Sequence, residues 1–264
     1  MANSLIFFTP RTGSSILADL LAFKYAAWNL DEILSHQVRP QIINKLPTSV
    51  IDRIKGGRFN ARERYKGKSS DSFYQLMCGE VLRSINFVKQ LSNENDIVIK
   101  CYTYPAALPR RVIELAIDNN FEIYFLHRSN IEEQMYSIAA AVLKEKHNKT
   151  TPWSAHVHTN KTQLPNTPPQ VYSKKQMHTM AYQIGIAIHT WNTLQKVYGH
   201  YGVTACYEDT IAKNDFSFAK ISDSIIDQYK LQSEYLVPTK DKVENFILNW
   251  EELKPIINSY IIYK

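Results

Sequence analysis

Four short apolar runs, separated by longer amphipathic stretches, constrain the fold of this chain more than any other feature. The runs span residues 4–9, 97–102, 121–126 and 203–207. Each is predicted to be a strand, and the first is continuous rather than alternating, which is typical of a strand buried on both faces of a parallel sheet. Since strands that alternate with helices form parallel sheets with helical crossovers, the sequence predicts an α/β fold. We expect a mostly parallel central sheet with helices on both faces.

Helices are predicted where apolar residues recur at three- and four-residue spacing. The first begins at Ser14 or Ser15, and the others cover residues 72–91, 109–119, 131–144, 174–198 and much of 216–264. Residues 27–71 are less regular, and residues 145–172 are polar, contain four prolines and lack periodicity. A loop of that length is usually functional or mobile. We predict a single domain over residues 1–264 with a mobile loop at 145–172.

The composition narrows the class of protein. With 264 residues, of which 44% are hydrophobic and 21% charged, the chain can bury a core, which excludes global disorder. The formal net charge of +6 favours an anionic ligand, with nucleic acid as a weaker alternative. No apolar run approaches the ~20 residues of a membrane span, and residues 1–4 lack the basic start of a signal peptide. We expect a cytoplasmic protein without a membrane span.

Neither cysteine nor histidine forms a pattern typical of a metal site. Cys78, Cys101 and Cys206 lie in separate apolar stretches and are predicted to be small buried residues in a reducing compartment. Four histidines in or beside the polar loop lack a repeating ligand spacing, which favours surface positions. They are His147, His156, His158 and His178. The sequence predicts no metal and no disulfide framework.

The turn after the first strand, residues 10–15, carries the sharpest functional signal, because ligands of parallel sheets bind at the carboxyl ends of strands. Gly13 permits a tight turn, and the N–H groups at the start of the next helix favour an anion. Arg11, Ser14 and Ser15 add further donors. The turn is therefore predicted to bind a phosphate-type group, although it lacks the Gly-Lys-Ser/Thr of an ATP-binding loop. The alternative is an ordinary strand-to-helix turn capped by serine.

A second signal lies at the end of the third apolar run. Arg128 follows that run, and Ser137 lies nine residues later in the next predicted helix. An arginine at a strand end and a hydroxyl on the adjoining helix can bind a second phosphate. Two phosphate sites on neighbouring strands are typical of a bisphosphorylated nucleotide.

These segments resemble motifs of the sulfotransferases that use 3′-phosphoadenosine 5′-phosphosulfate (PAPS). Residues 7–15 are similar to the family's 5′-phosphosulfate loop, and residues 127–137 are similar to its 3′-phosphate motif. The spacing is closest to that of the bacterial trehalose sulfotransferase branch, which Trp191 and the Tyr-Glu-Asp at residues 207–209 also resemble. The resemblance covers roughly residues 4–210, with gaps.

The resemblance implies a fold, a reaction and a set of binding residues. The fold is the P-loop-like sulfotransferase fold, and the reaction moves a sulfuryl group from PAPS to a hydroxyl of a small molecule or glycan, without a metal. Arg11, Thr12, Gly13, Ser14 and Ser15 would hold the 5′-phosphosulfate. Arg128 and Ser137 would hold the 3′-phosphate.

The resemblance also implies two catalytic residues. Glu32, nineteen residues after Gly13, matches the glutamate proposed as general base in the trehalose sulfotransferase branch. Lys100 matches the lysine of a Lys-Thr-His pattern and would stabilise the leaving phosphate. Asp31 and Lys100 stay open as alternative bases, and His127 is a weaker one.

Two other functions remain as alternatives at the level of sequence. A P-loop-like kinase would use ATP and Mg²⁺, and the missing Gly-Lys-Ser/Thr disfavours it. A nucleotide- or RNA-binding module without catalysis is favoured only by the basic residues between Arg53 and Lys68, which a solvated face explains equally well.

Overall fold

A five-stranded, all-parallel sheet forms the centre of the residues that the computed structural model describes, which are 2–35, 42, 45–52, 82–102, 108–148, 168–232 and 247–261. The strands are β1 (Ser4–Phe8), β2 (Trp28–Asp31), β3 (Ile97–Tyr102), β4 (Glu122–His127) and β5 (Gly202–Cys206). They pair in the order β2-β3-β1-β4-β5, and each pairing is parallel. The predicted α/β fold with a parallel sheet is confirmed.

The helices follow the predicted order with shifted ends. They are α1 (Ser14–Tyr25), α2 (Pro109–Asp118), α3 (Ile131–Asn148), α4 (Lys174–Tyr198), α5 (Asp223–Gln232) and α6 (Trp250–Ile261), with further helical residues at 48–52 and 82–92. Short 3₁₀ turns lie at Ile33–Ser35, Gly199–Tyr201, Ile211–Lys213 and Ser217–Ala219.

Several sequence predictions fall partly outside the described residues. Helix α3 continues four residues into the loop predicted at 145–172, and residues 149–167 of that loop lie outside them. Residues 72–81 of a predicted helix, residues 233–246 and the basic residues from Arg53 to Lys68 also lie outside. No described helix is long and apolar enough to cross a membrane.

Strand β2 was missed by the sequence analysis, which treated residues 27–71 as irregular. It has only four residues and lies at one edge of the sheet, where it pairs with β3. Apolar and polar residues alternate in its sequence, Trp28-Asn29-Leu30-Asp31, although Leu30 and Asp31 are both fully buried. This period of two was the available signal, but a run of four residues directly after a helix is too short to stand out.

The central strands β3, β1 and β4 are buried on both faces of the sheet, as predicted for β1, whereas the edge strand β5 is partly exposed. Leu5 and Phe7 of β1 pack with Val112 and Ile113 of α2 on one face. On the other face, Ile6 and Phe8 of β1 and Val98 of β3 pack with α1 and α5.

Since side chains alternate along a strand, Lys100 lies on the same face as Val98 and therefore points toward α1. A third apolar cluster joins α3, α4 and α6.

The strand order places the turn after β1 at a special position. The chain forms β2 and β3 on one side of β1 and then crosses to form β4 and β5 on the other side. The turn after β1 therefore lies where the direction of winding reverses, which is where parallel α/β sheets bind ligands. All five strands end at this same edge, so residues that follow them converge there.

Candidate anion-binding and catalytic site

The turn between β1 and α1 is held in place by its neighbours. Thr12 is buried, and its Oγ1 donates a hydrogen bond to the carbonyl of Thr9 at 2.9 Å. The buried Gln134 of α3 donates from Nε2 to Thr9 Oγ1 at 3.2 Å and also to the carbonyl of Pro10. The Thr9 N–H donates to the carbonyl of Leu126 in β4. The turn is thus fixed from two sides before any ligand binds.

The N-terminus of α1 opens from this turn with unsatisfied donors. Gly13 is the N-cap residue, with a φ of 72°, and no side chain caps the helix there. The N–H groups of Ser14 and Ser15 have no acceptor within their own helix, because the first turn of any α-helix lacks one. Together with the helix dipole, these groups favour a bound anion.

Gly13 is required for packing as well as for the tight turn that the sequence predicts. A Cβ atom on Gly13 would lie 2.6 Å from Cγ2 of Ile211, a fully buried side chain in the 3₁₀ turn after β5. Its positive φ adds strain for any residue with a Cβ. Packing against Ile211 and the positive φ exclude larger residues here.

We expect Gly13→Ala to lower the free energy of unfolding by about 2–4 kcal/mol, from backbone strain and overpacking together. Urea denaturation measures this loss. In the double variant Gly13→Ala/Ile211→Ala, the loss should be clearly smaller than the sum of the two single losses, because Ile211→Ala removes the colliding atom. Strictly additive losses would contradict the contact with Ile211.

The side chain of Lys100, near the end of β3, contacts three residues that the sequence identified as candidates. Its buried ammonium donates to Ser15 Oγ at 2.9 Å and to Glu32 Oε1 at 3.3 Å. It also forms a 2.7 Å ion pair with Oδ1 of Asp31. The structure therefore places Lys100 between the anion-binding turn and both carboxylates that the sequence analysis considered as bases.

Asp31 and Glu32 occupy different environments although they are adjacent. Asp31 is fully buried, whereas 14% of the Glu32 side chain is exposed. Asp31 has a φ of 50°, and the pairing of β2 with β3 shifts its register between Asn29 and Asp31. The Asp31 N–H donates to Asn29 Oδ1 at 2.9 Å. Such irregular strand ends often re-aim a side chain, and here the re-aimed side chain is a partner of Lys100.

Arg128 is held by the protein through all three of its guanidinium nitrogens. Nε donates to Glu208 Oε1 at 3.0 Å, and Nη2 donates to Glu133 Oε2 at 3.0 Å. Nη1 donates to the carbonyl of Arg11 at 3.4 Å, and the guanidinium lies 4.4 Å from the centre of the Tyr207 ring. Arg128 therefore contacts the anion-binding turn directly.

Glu208 is a central residue of the site that the sequence analysis noted only as part of a resembling motif. Its carboxylate accepts five hydrogen bonds, from Arg128, the Ser129 N–H and Oγ, the Asn130 N–H and Cys206 Sγ. Burial opposes its ionisation, but the hydrogen bonds from the Ser129 N–H, Cys206 and Arg128 outweigh burial and lower the pKa of Glu208 to about 2. Glu208 therefore stays anionic at neutral pH.

Ser137 contacts Arg11 rather than Arg128. Its Oγ accepts a 2.8 Å hydrogen bond from Arg11 Nε, which links α3 to the turn after β1. Because Arg128 donates to the carbonyl of the same Arg11, the structure brings all three residues together. The predicted pair of Arg128 and Ser137 is thus connected through Arg11.

Cys101 lies in β3, whereas His127 and Cys206 lie opposite each other in the neighbouring strands β4 and β5. Cys101 is buried, whereas Cys206 is half-buried and Cys78 lies outside the described residues. The His127 ring packs 4.9 Å from that of Trp191, and burial lowers the pKa of His127. Among the described residues no group of three or more histidine, cysteine, aspartate or glutamate side chains can hold a metal ion. His156 and His158 lie outside them.

Comparisons with known proteins give no family for this chain. No family model matches it, and no curated protein or solved structure matches it significantly. Its function is therefore inferred from the contacts of the site together with the resemblance of its motifs.

Proposed function

We propose that this protein transfers a sulfuryl group from PAPS to a hydroxyl group of an acceptor. The observation that carries the proposal is the position of the Lys100 ammonium, 2.9 Å from Ser15 Oγ and 3.3 Å from Glu32 Oε1. The first contact is with the turn that is suited to bind a phosphate. The second is with a carboxylate that can accept the proton of a hydroxyl group. Lys100 therefore links a leaving-group site to a base.

In the proposed reaction, Glu32 acts on the acceptor and Lys100 on the leaving phosphate. The acceptor oxygen attacks sulfur, its proton passes to the Glu32 carboxylate, and an O–S bond forms. The bond between sulfur and the bridging oxygen breaks, and its electron pair stays on the 5′-phosphate of 3′-phosphoadenosine 5′-phosphate (PAP). Lys100 and the N–H groups of Ser14 and Ser15 stabilise the charge that grows on that phosphate in the transition state.

The fold and the turn support a sulfotransferase over a kinase. A parallel sheet with a phosphate-type turn at the switch point is compatible with the P-loop-like sulfotransferase fold. Residues 10–15 lack the Gly-Lys-Ser/Thr that cradles ATP phosphates and places Mg²⁺. Arg128 and Ser137 both contact Arg11 of the turn and are suited to the 3′-phosphate, a group that ATP lacks.

Ligand-induced thermal stabilisation tests the proposal directly. We expect PAP to raise the melting temperature, because it binds only the folded state, and we expect ATP with Mg²⁺ and an RNA oligonucleotide to have little effect. Labelled PAPS should then transfer its label to an acceptor from a panel of sugars, lipid head groups, alcohols and phenols, and EDTA should not stop the transfer. Stabilisation by ATP with Mg²⁺ but not by PAP would refute the proposal.

Arg128→Ala should weaken PAP binding by about 2–3 kcal/mol, because a charged fork supplies charge-assisted hydrogen bonds to the 3′-phosphate. Binding of 5′-AMP should change far less, since that ligand has no 3′ group. Titration calorimetry with both nucleotides measures the difference. Equal losses for both would mean that Arg128 acts through the Arg11 carbonyl on the turn and not on the 3′-phosphate.

A further inference from the structure

Two carboxylates compete for the guanidinium that the proposed function assigns to the 3′-phosphate. Glu208 and Glu133 each accept a 3.0 Å hydrogen bond from Arg128, on Nε and Nη2 respectively. The 3′-phosphate therefore binds to an arginine whose positive charge is already paired with two carboxylates. Repulsion between the phosphate and the two carboxylates favours a complex in which one carboxylate gives up its contact, and the structure shows which of the two is held less firmly.

Glu208 is held firmly. Besides its contact with Arg128, its carboxylate accepts hydrogen bonds from the Ser129 and Asn130 N–H groups at the start of α3, from Ser129 Oγ and from Cys206 Sγ. Only 25% of its side chain is exposed. Moving it would leave several donors without their acceptor, which is costly at a half-buried position.

Glu133 is held weakly by comparison. Its side chain is 47% exposed and lies on the first turn of α3. Its contact with Arg128 Nη2 is open to solvent on the glutamate side, where water and salt screen the ion pair, although only 9% of the Arg128 side chain is exposed. A rotation of this side chain into solvent frees Nη2 and leaves the contacts of Glu208 in place.

We propose that Glu208 positions Arg128 for the 3′-phosphate and that Glu133 competes with this phosphate for the same guanidinium. The inference rests on the proposed function, since it concerns a nucleotide with a 3′-phosphate. In the free protein Glu133 occupies Nη2. In the complex the phosphate replaces Glu133, while Glu208 keeps Nε and thereby holds the plane of the guanidinium.

Three glutamate-to-glutamine variants separate the two roles, because each removes one negative charge from the same region. Glu133→Gln removes the competitor, and Glu208→Gln removes the positioning group. Glu132→Gln is the matched control: Glu132 is 45% exposed on the same helical turn but pairs with Lys254 at 3.1 Å instead of Arg128. Titration calorimetry with PAP and with 5′-AMP at low salt gives the affinities.

The variants should change PAP affinity in opposite directions. We expect Glu133→Gln to tighten PAP binding by about two- to fivefold, the strength of an exposed ion pair. Glu208→Gln should weaken PAP binding by about tenfold or more, because Arg128 loses the carboxylate that orients its guanidinium. Glu132→Gln should stay within about twofold of the unaltered protein, since Glu132 acts on Arg128 only through the long-range field. For 5′-AMP, Glu133→Gln should match Glu132→Gln.

Contrary results are distinguishable from failure of the proposed function. If Glu133→Gln binds PAP no more tightly than Glu132→Gln, or if Glu208→Gln keeps or gains affinity, the assigned roles are wrong although the protein still binds PAP. If Glu208→Gln does not fold, which its melting curve shows, Glu133→Gln against Glu132→Gln decides alone. If the unaltered protein does not bind PAP, the sulfotransferase proposal itself fails and this inference falls with it.

Discussion

Glu32→Gln should lower the turnover of sulfuryl transfer by about 10²–10⁴-fold, the usual contribution of a general base. Glutamine keeps the size of the side chain and one hydrogen-bond acceptor for Lys100, but it cannot take a proton from the acceptor hydroxyl. PAP binding should stay within about threefold, because the contact of Lys100 with Ser15 does not involve Glu32. Single-turnover transfer from labelled PAPS, combined with PAP calorimetry, measures both effects.

The structure favours Glu32 over the alternative bases. Asp31 is fully buried against Lys100, so its carboxylate has no direct path to an acceptor hydroxyl. Lys100 already donates to Ser15 and Glu32, which suits charge stabilisation better than proton removal. The His127 ring packs against Trp191. Near-normal turnover by Glu32→Gln on a genuine acceptor would refute the assignment and make Asp31 and Lys100 the next residues to test.

The fold could be predicted where the signal was local and strong. β1, β3, β4 and β5 each appear in the sequence as a short apolar run, and the burial of β1 on both faces is visible in the sequence alone. β2 was missed because it has four residues and lies at an edge. Without β2, the sequence offered no reason to place Asp31 beside Lys100, which is in the neighbouring strand.

The sequence identified individual residues of the candidate site, but it did not predict which of them contact each other. Local patterns identified the turn after β1, Arg128 and Ser137, since each follows a strand or lies on the next helix. The hydrogen bond from Arg11 to Ser137 joins residues 126 positions apart and depends on β4 lying beside β1. The order of the strands depends on packing of the whole sheet, so it cannot be inferred from the pattern of any single segment. The role of Glu208 was missed for the same reason.

Lys100→Met should destabilise the protein strongly as well as inactivate it. The buried ammonium and the fully buried Asp31 carboxylate are 2.7 Å apart, and removal of one partner of a buried pair costs about 3–5 kcal/mol. Urea denaturation measures the loss in the free energy of unfolding. Loss of activity in this variant alone would be ambiguous, because a destabilised protein and a missing catalytic cation give the same result.

A second substitution separates stability from chemistry. In Lys100→Met/Asp31→Asn the buried carboxylate is gone, so most of the lost stability should return, while transfer from PAPS should stay as low as in Lys100→Met. Asp31→Asn alone should destabilise less than Lys100→Met, because Glu32 still lies 3.3 Å from the ammonium. The double variant thus separates the catalytic effect of Lys100 on the leaving phosphate from its effect on stability. If its turnover recovers together with its stability, Lys100 only supports the fold and the proposed charge stabilisation is wrong.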